Sequence, residues 1–384
     1  MQSETIPEVA PGVPAGLELG LRNYWYPILM SSELPSGRPL GVRRLGEDLV
    51  AWRDQSGQPH VLVDRCPHRT AKLSLGRVMG DNLQCAYHGL RFDGQGQCVL
   101  VPWEPDGSAA PDGICAQAYP AEELAGLIWA YVGDVAAFPP PPLREVVPEE
   151  AINDEYVCYT MTEHWHTNWL LGLDGTDRYH ATVLHAEIQA VANETWTGGP
   201  AKPAQVPLAD RRIKLVDTPE GVRGFSIDIH GNPIHTGHVK ETGIPYFQLP
   251  CMVTNEFVAV PGADPYRNRL YLIPVDADHT QATRLIAQRA PTPEIRARWA
   301  QLYEDVVKPR TLGVSAQDAV MCESQGSLAY ARTHEHLLRP DADIYRMRQQ
   351  IRAAFLLQRQ GKRYEPGAAA AAPVAAGAAP NGEG

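Results

Sequence analysis

The sequence predicts an α+β protein with two cores, an all-β unit followed by a unit of strands and a few helices. Three observations carry this. The 384 residues, 44% of them hydrophobic, suffice for two ordinary folded domains. Residues 23–134 offer short apolar or alternating runs at 49–52, 61–63, 90–92 and 127–132, separated by Gly, Pro, Asn and Asp, which is the pattern of a small antiparallel β domain. Beyond residue 150, strand-like and helix-like stretches mix without the regular alternation of a βαβ fold.

The elements follow in order. Residues 1–20 are Pro-rich and aperiodic, so a flexible N-terminus is expected. The β domain takes 21–145. Its edge is marked by Phe138-Pro139-Pro140-Pro141-Pro142-Leu143, because a proline run is stiff and donates no backbone hydrogen bonds. The second domain takes 146–365, with strands expected at 157–162, 213–217, 222–229, 268–275 and 281–290, and helical periodicity at 169–184, 292–307 and 344–357. Residues 366–384 form an Ala/Pro/Gly tract unable to bury a core, and are expected to be disordered.

Composition excludes several classes. The net charge of −11, from 45 acidic against 34 basic residues, disfavours a phosphate-backbone partner, so no nucleic acid is expected. No apolar run approaches the roughly 18–20 residues of a spanning helix, and the first residues lack the basic-then-apolar layout of a signal peptide. A cytoplasmic protein with no membrane association is therefore expected. Seven cysteines spread over a long chain argue against a disulfide framework. Cys98, Cys115, Cys158, Cys251 and Cys322 have no partner spacing and read as small buried apolar side chains.

The remaining two cysteines stand apart. Cys66-Pro67-His68 and Cys85-Ala86-Tyr87-His88 form C-x-H and C-x₂-H, separated by sixteen residues, so each half places a thiolate and an imidazole on a short turn. A Rieske cluster needs two Cys on one iron and two His on the other. A tetrahedral Cys₂His₂ zinc site uses the same ligand set, although zinc fingers usually pair Cys with Cys and His with His.

The flanking residues separate these alternatives. Cys66-Pro67-His68-Arg69 with Leu73-Ser74-Leu75-Gly76, then Cys85-Ala86-Tyr87-His88-Gly89-Leu90-Arg91-Phe92, closely resembles the Rieske domain of ring-hydroxylating non-haem iron oxygenases. The resemblance implies a [2Fe–2S] cluster held by Cys66, His68, Cys85 and His88. Thr70 stands where that family more often has Gly, which implies a slightly different backbone in the first loop. Respiratory Rieske proteins normally add a cysteine to each loop; the corresponding neighbours here are Arg69, Thr70, Ala86 and Tyr87.

A second constellation follows. Oxygen chemistry at non-haem Fe(II) uses two His and one carboxylate on one face of the metal. The segment running from Asn168 to His185 contains D-x₂-H-x₄-H. In the Rieske oxygenases this pattern supplies both imidazoles and a bridging aspartate, so the resemblance implies His180 and His185 as ligands of a mononuclear Fe(II) and Asp177 as the bridge. Residues five apart on a regular α-helix lie about 140° apart around its axis, so both rings meet one metal only if the helix is irregular between Ala181 and Leu184. Asp174-Gly175 departs from the family's usual Glu-Asn. The pairs His164/His166 and His334/His336 are H-x-H rivals. Ser315-Ala316-Gln317-Asp318 through Gly326 looks like the family's third-ligand segment, which implies Asp318 as the carboxylate, with Glu323 its local competitor.

The family membership so implied is that of an alpha-only, head-to-tail homotrimer akin to the phthalate, carbazole and oxoquinoline oxygenases. It implies a Rieske domain followed by a helix-grip catalytic domain, acting with O₂ on a small aromatic or heteroaromatic substrate by hydroxylation, dihydroxylation or dealkylation. No G-x-G-x-x-G fingerprint follows a strand, so the NAD(P)H site is expected on a separate reductase, with or without a ferredoxin. The alternative is a non-catalytic electron-transfer or redox-sensing protein, which needs no D-x₂-H-x₄-H segment.

Overall fold

The computed structural model describes residues 7–104, 113–177, 180, 183–185, 188, 212–218, 221–227, 247–260, 263–338 and 341–364. The chain begins with a small hairpin, β1 (Glu8–Ala10) and β2 (Val13–Pro14). Next come β3 (Tyr24–Met30), β4 (Leu40–Arg44), β5 (Glu47–Arg53) and β6 (Pro59–Val63). These are followed by β7 (Arg77–Met79), β8 (Asn82–Gln84), β9 (Arg91–Phe92) and β10 (Cys98–Leu100). The first domain closes with β11 (Ala118–Tyr119), β12 (Ala121–Leu124) and β13 (Leu127–Val132). Three antiparallel sheets result, ordered β11-β6-β5-β4, β10-β9-β8-β7 and β12-β13-β3.

Local chemistry sets the turns. Between β5 and β6, Asp54 Oδ1 accepts the backbone N–H groups of Ser56 and Gln58 at 2.9 and 3.0 Å. Gly57 there takes φ +87°, so an Asx-type turn closes the hairpin. Between the first two sheets lies a core of Val50, Trp52, Leu62, Leu73, Leu83, Leu90 and Phe92, with Cys66 and Cys85 in it. Of the lone cysteines, Cys98, Cys251 and Cys322 are buried as expected and Cys158 half-buried, but Cys115 is exposed.

Within the N-terminal stretch expected to be flexible, the described residues around 13–18 are packed. Val13 and Leu17 are buried, the Leu17 carbonyl accepts Trp169 Nε1–H at 3.2 Å, and the Glu18 carbonyl accepts Asn168 Nδ2 at 3.0 Å. A proline-rich composition suppresses local periodicity; it does not prevent two apolar side chains from docking on a distant partner.

The second domain is built on a seven-stranded antiparallel sheet in the order β14-β20-β19-β18-β17-β16-β15. Its strands are β14 (Tyr156–Trp165), β15 (Arg212–Thr218), β16 (Gly221–Ile227), β17 (Phe247–Gln248), β18 (Met252–Val258), β19 (Pro265–Pro274) and β20 (Thr280–Arg289). The helices are α1 (Leu143–Val146), α2 (Trp169–Asp174), α3 (Pro293–Leu302), α4 (Lys308–Ser324), α5 (Leu328–His334) and α6 (Ala342–Arg359), with a π-helical turn at Tyr303–Val307 joining α3 to α4. One apolar core joins the β3-β13 sheet to this domain, and Trp129 meets Tyr271 edge to face at 5.5 Å.

The helix expected over 169–184 ends at Asp174. The Leu173 carbonyl accepts both the backbone N–H of Thr176 at 3.1 Å and its hydroxyl at 2.6 Å, which diverts the acceptor that the next helical N–H would use. Asp174 is buried and anchors other elements: its Oδ2 lies 2.7 Å from both Arg332 Nη1 on α5 and Arg348 Nη2 on α6. Glu335 completes this cluster through Arg348.

Candidate active site

Two loops of the first domain present the Cys/His pairs, and they repeat one backbone design. In the first, Cys66 N–H donates to the Ala71 carbonyl and Thr70 N–H to the Cys66 carbonyl, each at 2.8 Å. In the second, Cys85 N–H donates to Leu90 at 2.8 Å and Gly89 N–H to Cys85 at 3.0 Å. The loops face each other: both cysteines are buried, and the rings of His68 and His88 stand 4.7 Å apart. Asp64, also buried, secures the first loop by accepting Ser74 N–H and Oγ–H at 2.7 and 2.6 Å. Gly76 is required by close approach, since a Cβ there would lie 2.0 Å from the Gln84 carbonyl oxygen, next to Cys85. Burial and the neighbouring Cys85 push the Cys66 thiol up to about 11. Two thiols packed together in an apolar core are a poor arrangement by themselves and a fitting one for a cationic cluster that takes thiolates.

The matched fifth positions of the two loops show how Thr70 is accommodated. Gly89 has φ +79° and Thr70 has φ +55°, so the threonine adopts the left-handed conformation that suits glycine. A β-branched residue in the left-handed region costs roughly 1–3 kcal/mol, against about 0.5–1 kcal/mol of extra chain entropy for glycine. Because Thr70 is exposed, little packing is lost on truncation. Thr70→Gly is expected to stabilise the domain by about 1 kcal/mol, seen as a higher midpoint for thermal loss of visible absorbance; a lower midpoint would show that the loop is unstrained.

The second cluster lies between the segment after α2 and the middle of α4. His180, His185 and Asp318 place one ligand atom each within 4.8 Å of one another, and they are the only such group among the described residues. Asp318 Oδ1 is 3.4 Å from His180 Nε2 and 3.0 Å from His185 Nε2. The His180 carbonyl accepts the backbone N–H groups of Leu184 and Val183, at 2.7 and 2.9 Å. Residues 183–185 form a turn rather than α-helix, while Ala181 and Thr182, where irregularity was also expected, lie outside the described residues. The two rings meet edge to face at 5.0 Å.

Each imidazole is oriented by its far nitrogen. His180 Nδ1 lies 3.0 Å from Asp177 Oδ2, and Asp177 Oδ1 accepts the His180 backbone N–H at 3.1 Å. His185 Nδ1 lies 2.8 Å from Gln317 Oε1. A carboxylate and an amide oxygen only accept, so both rings donate from Nδ1–H and present Nε2 to the common point. Burial disfavours a charged His180, but Asp177 and Asp318 outweigh it and raise its pKa to about 9. His185 Nε2 and Asp318 Oδ1, 3.0 Å apart, are buried with no hydrogen-bond partner among the described residues. Orphaned acceptors converging on one point, each ring held from behind, are what a divalent cation satisfies, and two His with one carboxylate suit non-haem Fe(II).

The rivals are engaged elsewhere. Glu323 Oε1 accepts the His166 backbone N–H at 2.8 Å, and the His166 ring meets His279 at 5.3 Å. His334 stacks on Tyr330 at 4.3 Å. Gln317 was not singled out by sequence reasoning, and its only signal is that it precedes Asp318. Phe247, Met252 and Val253 lie in the main core. No helix among the described residues is long and apolar enough to cross a membrane.

A β domain with paired Cys/His loops, joined to a sheet-and-helix domain with a His₂-carboxylate cluster, defines a two-centre oxygenase architecture. Comparison with known proteins agrees: a profile described as Rieske [2Fe-2S] domain matches residues 24–120, and one described as homotrimeric ring hydroxylase matches 131–355. The chain therefore belongs to the ring hydroxylase family and carries a Rieske [2Fe–2S] domain. It is 37% identical over 188 residues to the 3-chlorobenzoate-3,4-dioxygenase oxygenase subunit of Comamonas testosteroni, covering 48% of this chain and 41% of that protein. To the phthalate 4,5-dioxygenase oxygenase subunit of Pseudomonas putida it is 29% identical over 266 residues, covering 68% and 58%. The chain spans about half the length of the curated relatives it matches. In fold it resembles the oxygenase in a reduced complex between oxygenase and ferredoxin in carbazole 1,9a-dioxygenase, with TM-score 0.66, 22% identity, and coverage of 90% of this chain and 92% of that one.

Proposed function

We propose that this chain is the terminal oxygenase of a Rieske-type system, with Cys66, His68, Cys85 and His88 holding the cluster and His180, His185 and Asp318 holding the mononuclear iron. The observation that carries the reading is the convergence of His180, His185 and Asp318, with Asp177 behind His180, in the same chain as the Cys/His loops. An electron carrier or redox sensor would have no use for that second cluster. When bound, the iron supplies open positions for O₂ and the cluster supplies electrons singly. The chain's own part is to keep both imidazoles aimed, through Asp177 and Gln317, and to hold Asp318 opposite them.

The substrate class is a small aromatic or heteroaromatic compound, hydroxylated, dihydroxylated or dealkylated, and the electrons come from a separate NAD(P)H reductase directly or through a ferredoxin. The active form is a homotrimer in the cytoplasm. The family, and the aromatic substrates that its relatives' names record, support this reading. A screen of substituted benzoates, phthalates and fused heteroaromatics, by oxygen uptake with a generic reductase, tests it. Uptake matched by an oxygenated or dealkylated product is expected; a reducible, iron-loaded protein that consumes no oxygen with any of them would contradict it.

The geometry also assigns a magnitude to Gln317. Removing a group that orients a metal-bound histidine typically costs about 10–100-fold in metal affinity. Gln317→Leu is expected to weaken retention of the mononuclear iron against a chelator by that amount, with the cluster spectrum unchanged. Wild-type retention would show that packing alone holds the His185 ring.

A further inference from the structure

Gly175 is the residue at which the histidine segment leaves α2, and its backbone does not explain why it is glycine. Its φ and ψ are −65° and −2°, a conformation open to any residue. Its surroundings do explain it. A Cβ at Gly175 would lie 2.4 Å from Cys322 Sγ, more than an ångström inside normal contact. Cys322 is buried on α4, four residues after Asp318, and so lies on the same helical face one turn along. Gly175 in turn is two residues before Asp177 and five before His180.

We propose that the Gly175–Cys322 contact is the spacer between the histidine segment and the aspartate helix, so that affinity for the mononuclear metal depends on the combined bulk at these two positions. Both are positioning residues: neither offers the site a ligand. The inference rests on the reading of His180, His185 and Asp318 as metal ligands. Relieving a contact that would close to 2.4 Å by moving α4 takes a shift of about 1 Å, which is near half a metal–ligand bond length of roughly 2 Å. Displacements of that size disable a site without unfolding it. Both sides of the contact are tied: Asp174, next to Gly175, is held by Arg332 and Arg348, and the Cys322 carbonyl accepts the Thr167 hydroxyl at 3.4 Å.

The experiment measures chelator-resistant mononuclear iron in the full-length protein, with the cluster's visible spectrum as the folding control. Gly175→Ala should retain the iron at least about tenfold less tightly than wild type, with the cluster spectrum unchanged. Cys322→Ala should retain it within about threefold of wild type, and Gly175→Ala combined with Cys322→Ala should recover to a similar level, since the second change removes the atom that the new methyl meets. Recovery is the outcome that a general loss of packing would not give; if Gly175→Ala fails to fold, recovery of both spectrum and iron in the double variant is the supporting result. Wild-type retention in Gly175→Ala, or a double variant as weak as the single one, would overturn the spacer. A wild-type protein with no mononuclear iron would overturn the iron-site reading itself, and the spacer with it.

Discussion

Replacing His180 or His185 by alanine is expected to abolish oxygenation while leaving the cluster spectrum intact. The two sets of side chains are separate: Cys66, His68, Cys85 and His88 lie on loops of the first domain, and His180 and His185 face Asp318 on α4. A ligand loss should exceed the roughly 10–100-fold in affinity that follows from losing a residue behind the ligand. Several kcal/mol of lost charge stabilisation corresponds to a rate loss on the order of 10³–10⁴. Iron content per chain and turnover with any accepted substrate check this. Full activity in both variants would move the site to one of the H-x-H pairs. Asp318→Ala should behave similarly with partial metal loss, because both imidazoles remain.

Asp177→Asn carries the second large effect. Asp177 holds His180 twice, through the ring Nδ1–H at 3.0 Å and the backbone N–H at 3.1 Å. In the family the equivalent aspartate also accepts from a Rieske histidine of the neighbouring subunit, which in this chain corresponds to His88, and we propose that role for Asp177. Asparagine keeps the size but gives up the charge, and charge-assisted hydrogen bonds are roughly twice as strong as neutral ones. Both metal centres should therefore stay loaded, while electron transfer from reduced cluster to iron, and turnover with it, falls by about 10–100-fold. Rapid mixing of the pre-reduced protein with substrate and O₂ reads the cluster's reoxidation directly. An unchanged rate would reduce Asp177 to a side chain that orients His180.

What was legible in the sequence, and what was not, divides by the range of the interactions. The cluster loops are coded locally: four metal-type side chains, their turns and Gly76 fall within about twenty residues, so spacing and flanks suffice. His180 and His185 are legible for the same reason. Asp318 lies far along the chain on a helix, where an isolated acid has no pattern of its own, and was found through resemblance alone. Gln317, and the contact of Gly175 with Cys322, could not be read, because each exists only once α4 packs beside the histidine segment.

The same division explains the misjudged elements. Leu17 and Val13 are ordered by Trp169 and the core around it, partners that a local window does not contain. The α2 helix stops where the Thr176 hydroxyl takes the Leu173 carbonyl, a single hydrogen bond competing against apolar periodicity that continues past it. In the large sheet β17 and β18 were not read, while the other five strands were legible in place, those at 157–162 and 268–275 short in extent. Their ends are set by pairing across β14, β20 and β19, not by their own composition.

The central claim is that one chain holds both a [2Fe–2S] cluster and a separate mononuclear iron. Iron and acid-labile sulfide, measured together on anaerobically purified protein, test it most directly. Three irons for every two sulfides per chain is the predicted result. Two irons for two sulfides would make the protein a cluster-only electron carrier, and zinc without labile sulfide would contradict the account at its first step.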